Sequence, residues 1–197
     1  SVLLNGRNVL YITMEMAEEK IAERIDANLL NVPIQDLVDI PKSSFENKVN
    51  NLAKKTQGQL IIKEYPTASA HSGHFKALLN ELALKKSFKP DIIFVDYLNI
   101  CASSRYKGSA NINSYTLVKS IAEELRGLAV EAEVPIVSAT QTTRSGYGSS
   151  DVDLTDTSES FGLPATADLM FALISTEELE QLGQIMVKQL KNRYNDL

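Results

Sequence analysis

The sequence predicts an α/β fold: a mostly parallel, twisted sheet flanked by helices on both faces, with a late antiparallel hairpin strand. Three observations carry this. Short apolar, β-branched runs alternate with segments of helical periodicity, the pattern of a wound sheet. The middle runs are almost continuously apolar, as expected of strands covered on both faces. Two long polar stretches follow directly on strands expected to be central, and ligands of open α/β sheets bind at that carboxyl edge.

The expected strands are Asn8 to Thr13, Leu60 to Lys63, Ile92 to Asp96, Pro135 to Thr140, Asp168 to Ile174 and Ile185 to Leu190. Little chain separates the last two, which is why the final strand is expected to be antiparallel. Between the strands, Ile21, Ile25 and Leu29 share one face of a helix beginning near Ala17. Phe75, Leu78, Leu79 and Leu82 mark a second helix ending before Pro90. A third carries Leu117, Ile121, Leu125 and Leu128, with Asn113 or Ser114 available as its cap. The polar stretches are Cys101 to Ser114 and Thr142 to Ser160, both long for structureless connections in a compact domain.

A length of 197 residues, 44% hydrophobic and 23% charged, fits one globular domain. No apolar run approaches the roughly 20 residues that span a bilayer, and no signal-peptide pattern opens the chain. A single cysteine, Cys101, excludes an internal disulfide and fits a reducing, cytoplasmic compartment. The net charge of −5 speaks against a broad basic surface of the kind that neutralises nucleic-acid backbones. The chain opens on Ser1 within an amphipathic segment, so it is expected to be a portion of a longer protein.

Three strand ends carry polar residues. Asp96 closes the run Ile92-Ile93-Phe94-Val95, where a carboxylate at the mouth of a dry sheet suits Mg²⁺ on a nucleotide phosphate, or else caps the next turn. Glu15 stands just past the strand Asn8 to Thr13 and before a helix. A carboxylate there suits a base acting on the water that attacks a γ-phosphate; the plainer role is an acid favoured by the helix dipole. Gln141 follows the strand Pro135 to Thr140, as a phosphate-sensing amide or as a turn residue. Together the three suggest one site along one sheet edge. Near the end, Lys191 and Arg193 read either as a solvated basic strand end or as an arginine finger that neutralises charge on a transferring phosphoryl group. His71 and His74 lack a second ligand pair, so no metal site is expected there. The phosphate-gripping pattern GxxxxGK[ST] occurs nowhere in the chain.

In order and spacing these segments resemble the DnaB-type replicative DNA helicases. The resemblance lies in NVLYITMEMA at Asn8 to Ala17, FVDYL at Phe94 to Leu98 (their Walker B segment), and ELRGLA at Glu124 to Ala129. It continues through VPIV at Val134 to Val137, Gln141, and KNR at Lys191 to Arg193. Within the family it is closest to the T-even phage branch, through IDAN at Ile25 to Asn28, SYTLVKSIAEELRGLAVE at Ser114 to Glu131 and GLPATAD at Gly162 to Asp168. The resemblance covers nearly the whole chain.

It implies a RecA-like helicase ATPase core over residues 1–197. Such a core uses ATP and Mg²⁺ to move 5′ to 3′ on single-stranded DNA and to unwind duplex at the replication fork. Glu15 would be the base, Asp96 the Mg²⁺ residue (through water), and Gln141 the link from the γ-phosphate to the DNA loops. Arg193 with Lys191 would reach the neighbouring subunit's nucleotide. Arg105 and Lys107 in the first loop and Arg144 in the second would touch DNA. Six such cores would ring the strand, each contributing few basic residues, which reconciles the acidic balance with DNA binding. A primase, a helicase loader and the host-cell cytoplasm follow from the same resemblance, and no membrane. The family's P-loop, its N-terminal domain and possibly its final strands are expected to lie outside these residues, leaving this piece impaired or inactive alone. Two other readings are a RecA-type recombinase core and a non-catalytic RecA-like assembly module.

Overall fold

The computed structural model describes residues 2–106, 112–141 and 162–195. Four parallel strands form the main sheet: β1 (Val9–Thr13), β2 (Leu60–Glu64), β3 (Ile92–Asp96) and β4 (Ile136–Ser138), in the order β2-β1-β3-β4. The helices are α1 (Glu18–Leu30), α2 (Lys42–Lys55), α3 (Ser72–Lys86), α4 (Ser114–Ala132), and the short α5 (Gly162–Thr166) and α6 (Glu177–Gln181). Strands β5 (Leu169–Ile174) and β6 (Met186–Asn192) pair antiparallel as a separate two-stranded sheet. The expected strands and their directions are therefore present.

Topology decides the layers. The chain steps from β1 outward to β2, then back across to β3 and on to β4. Right-handed crossovers consequently place α1 and α2 on one face and α3 and α4 on the other. The alternation of side chains agrees. Leu10, Ile12, Ile93 and Val95 point to the α3/α4 face and form one core with Phe75, Leu78, Leu82, Val118, Ile121, Leu125 and Leu128. Each such buried side chain contributes about 1.5–3 kcal/mol relative to exposure. The opposite face of β1 and β3 presents Tyr11, Thr13, Phe94 and Asp96, with the Tyr11 and Phe94 rings stacked at 6.0 Å.

Helix ends follow local chemistry. Asn113 caps α4 by accepting from the Thr116 amide, as its position suggested. His71 accepts from the Gly73 amide and His74 Nδ1 accepts from the His71 amide, so the histidine pair is spent on capping α3. Helix α2 was not anticipated, although Phe45, Val49 and Leu52 repeat at helical spacing after Pro41.

Two details differ from expectation. Strand β4 is three residues long and pairs, among the described residues, with β3 alone. Among the described residues it is an edge rather than a central strand, and Val137 is 45% exposed. Its apolar run had suggested burial, but run length alone does not tell which strands flank it. Likewise β5 buries only Ala172 and Ile174, while Leu169, Phe171 and Leu173 stand exposed on its other face. Among the described residues, no helix is long and apolar enough to cross a membrane.

Candidate active site

The site begins with strand register. At the amino edge, Asn8 joins three strands: its amide donates to Asp91 Oδ2 (2.7 Å), its Nδ2 to the Lys89 carbonyl (3.1 Å), and its Oδ1 accepts from the Gln59 amide (3.1 Å). With that end pinned, Thr13 lies opposite Asp96 and Val95 opposite Ser138. Glu15, Asp96 and Gln141 thus emerge side by side at the carboxyl edge. The structure brings the three expected tips to one place.

The turn after β1 is shaped by the fully buried Thr13, whose Oγ1 accepts from the amides of Glu15 (3.4 Å) and Met16 (3.1 Å). The Met14 amide donates to the Asp96 carbonyl (3.0 Å), and Thr67 Oγ1 to the Met14 carbonyl (2.7 Å). Met14 is buried, and Glu15 between it and Met16 is turned out to solvent. The first turn of α1 holds its own acids, Glu18 and Glu19, so the helix dipole is served without Glu15. An exposed carboxylate on a rigid turn at a strand mouth can orient water and take a proton.

Asp96 is half-buried, and Tyr11 Oη donates to its Oδ2 at 2.8 Å. Burial, and then this hydrogen bond to Asp96, raises the Tyr11 phenol well above its ordinary value of 10.0. The tyrosine accordingly stays a donor. Among the described residues, no cluster of three or more acidic, histidine or cysteine side chains could cage an ion. One carboxylate at a strand mouth does fit Mg²⁺ that arrives on nucleotide phosphates with most of its waters.

The third tip is linked to the second. Gln141 Nε2 donates to Tyr97 Oη (3.3 Å), Thr140 Oγ1 to Asn99 Oδ1 (2.8 Å), and the Leu98 amide to the Ala139 carbonyl (3.2 Å). A change at Gln141 would therefore reach the residues directly after Asp96.

The first polar loop leaves from here and is anchored by Glu124 of α4. Its carboxylate accepts from Ser103 Oγ (2.5 Å), Ser72 Oγ (2.9 Å) and the Ser104 amide (3.0 Å), joining α3, α4 and the loop. Arg105 is ion-paired with Glu123, so this expected DNA contact is engaged within the chain. Lys107, Arg144 and all of Thr142 to Ser160 lie outside the described residues.

Arg193 and Lys191 sit elsewhere, at the open end of the β5–β6 hairpin. Arg193 Nε lies 2.8 Å from Asp168 Oδ1 and its Nη2 donates to the Ala165 carbonyl at 2.9 Å. Lys191 Nζ donates to the Pro164 carbonyl. Burial, then the nearby Arg193, lowers the Lys191 ammonium from its ordinary value. Among the described residues, these two side chains contact α5 and its flanks rather than the three tips. Tyr11, Thr13, Glu124 and Asp168 were not anticipated. The alternation that puts Tyr11 on the same strand face as Thr13 is the one sequence signal that could have found the first of them.

Comparison with known proteins gives the family and the fold. The sequence profile of the DnaB-like helicase C-terminal domain matches residues 2–194. The chain is 53% identical over 194 residues to the DnaB-like replicative helicase of Enterobacteria phage T4, covering 97% of this chain and 41% of that protein. It is 27% identical over 178 residues to the replicative helicase DnaB of Helicobacter pylori, covering 88% of this chain and 35% of that one. The chain thus spans less than half the length of these relatives. A solved DnaB-like replicative helicase, studied with its interactions with primase, superposes with a TM-score of 0.74 at 18% identity. That match covers 96% of this chain and 46% of the other, and shows the RecA-like fold. A sheet edge carrying Glu15, Asp96 and Gln141 and a profile match over nearly every residue lead to one conclusion: the chain belongs to the DnaB-like helicase C-terminal domain family.

Proposed function

We propose that this chain is the motor core of an ATP-dependent replicative DNA helicase that moves 5′ to 3′ on single-stranded DNA and unwinds the duplex ahead. The observation that carries the reading is the alignment of Glu15, Asp96 and Gln141 at the carboxyl edge of one parallel sheet, set by the pairing of Thr13 with Asp96 and Val95 with Ser138. Asp96 would be the protein carboxylate that holds Mg²⁺, through water, and the ion would offset charge on the phosphates. Glu15 accepts a proton from the attacking water as its oxygen bonds to the γ-phosphorus and the bond to the β-phosphate oxygen breaks, giving ADP and phosphate. Gln141, through Tyr97, passes the state of the γ-phosphate toward the loop that starts at Cys101.

Arg193 and Lys191 serve the neighbouring subunit's nucleotide, in keeping with their placement away from their own chain's tips. Six cores enclose the strand, with Arg105, Lys107 and Arg144 as contacts. The similar helicase studied with its interactions with primase supports a primase as partner; a loader and a host-cytoplasmic location belong to the same reading.

The test is Glu15→Gln in the full-length protein. Turnover is expected to fall by about 10²-fold or more, while nucleotide binding persists. DNA-stimulated hydrolysis at the unsubstituted rate would overturn the assignment of the base.

A further inference from the structure

We infer that Asp168 is a positioning residue for Arg193, and that Arg126 holds Asp168 in place in turn. The inference rests on the reading of Arg193 as the residue that reaches a neighbouring subunit's nucleotide.

Asn192 pairs with Leu169 as the last rung of the hairpin, so Asp168 and Arg193 are the first residues beyond it. The Arg193 amide closes that end on the Asp168 carbonyl at 2.8 Å. The side chains meet there as an ion pair, with Arg193 Nε 2.8 Å from Asp168 Oδ1. Arg126 Nη1 approaches the same oxygen at 2.6 Å and also donates to the Thr166 carbonyl at 2.9 Å. Arg193 Nη2 faces three successive carbonyls, of Ala165, Thr166 and Ala167, at 2.9, 3.4 and 3.5 Å. Nη1 makes none of these contacts, and the side chain is 37% exposed.

A single surface ion pair contributes little to stability. Two guanidiniums converging on one carboxylate oxygen, with backbone carbonyls beyond, do something else. They fix the direction of a long, flexible side chain and leave part of its fork for an external anion. The cluster keeps an excess of positive charge, with two arginines and Lys191 around one acid. Such preorganisation serves a donor that must meet charge as it develops in a transition state. The frame is also not local to the hairpin. Arg126 belongs to α4, which follows the first polar stretch of the sequence, and the carbonyls belong to α5 and its flank, which follow the second.

The experiment mixes full-length subunits. Each nucleotide interface takes its base from one subunit and its arginine from the next. Asp168→Asn is expected to lower kcat about tenfold with the KM for ATP little changed, and Asp168→Glu to restore part of the loss. Mixing Asp168→Asn with Glu15→Gln subunits is expected to raise activity above either parent, because some interfaces then pair an intact arginine with an intact base. Mixing Asp168→Asn with Arg193→Ala is expected to give no such gain, since both lesions lie on the arginine side. Wild-type kcat in Asp168→Asn, or rescue in the Arg193→Ala mixture, overturns the positioning role. A control mixture of Arg193→Ala with Glu15→Gln separates the two claims: no gain there at any ratio overturns the trans reading of Arg193 itself. If Asp168→Asn fails to assemble, Arg126→Ala takes its place in the same mixtures, with the same outcomes deciding.

Discussion

Tyr11 Oη donates to Asp96 Oδ2 at 2.8 Å across the β1–β3 ladder, although 85 positions separate the two residues. The phenol leaves the carboxylate fixed from one side and available from the other. Removing a hydrogen bond to a charged acceptor costs about 1.5–3 kcal/mol when buried, and about half that at this half-exposed position. Tyr11→Phe is expected to lose about 1 kcal/mol in urea unfolding of this chain.

The same pair sets a pH dependence. Because the folded phenol titrates above its ordinary value of 10.0, the neutral form is favoured in the fold. That contribution is full below pH 10 and is lost as pH rises above it. Tyr11→Phe is expected to flatten the alkaline fall in stability; an identical fall in both proteins would show that the phenol ionises freely when folded.

Glu124 predicts the opposite end of the scale. Burial pushes its carboxyl up, but the hydrogen bonds from Ser103, Ser104 and Ser72 together outweigh it, leaving the group below its ordinary value of 4.5. A depressed carboxyl contributes stability above its unfolded value, and that contribution fades as pH falls below about 4.5. Glu124→Gln is expected to destabilise the chain by about 1–2 kcal/mol at neutral pH, after allowing for solvent screening, and to weaken the acid-side dependence. Equal stability of the two proteins at pH 7 would mean that the serine contacts carry no net energy.

Cys101 lies 4% exposed beneath the start of the first polar loop. Burial, and then the Glu124 charge, pushes its thiol up to about 12. Since the thiolate is the reactive form, a disulfide reagent at pH 8 is expected to label folded protein slowly and denatured protein at once. Glu124→Gln should speed labelling by loosening the loop that covers the sulfur. Fast labelling of the native chain would contradict the burial.

The local chain determined which residues stand at strand ends. An apolar run closed by Asp96, or followed by Met14-Glu15-Met16, is a short-range pattern, and alternating periods of two and 3.6 residues mark strand and helix without any distant contact. The parallel character, the antiparallel last strand and the grouping of Glu15, Asp96 and Gln141 were therefore legible, as was the Asn113 cap. Tertiary structure alone decided the rest. Asn8 sets the register only because Gln59, Lys89 and Asp91 are brought beside it. Tyr11 is an ordinary strand residue until β3 is its neighbour. Arg193 and Asp168 meet because a hairpin closes, and Arg126 joins them from a helix 42 positions before Asp168 in the chain. The edge position of β4 among the described residues is likewise a property of sheet order and not of its own sequence. Strand ends are written in consecutive residues; what holds each tip in place is a contact between segments far apart in the chain, and only packing brings those segments together.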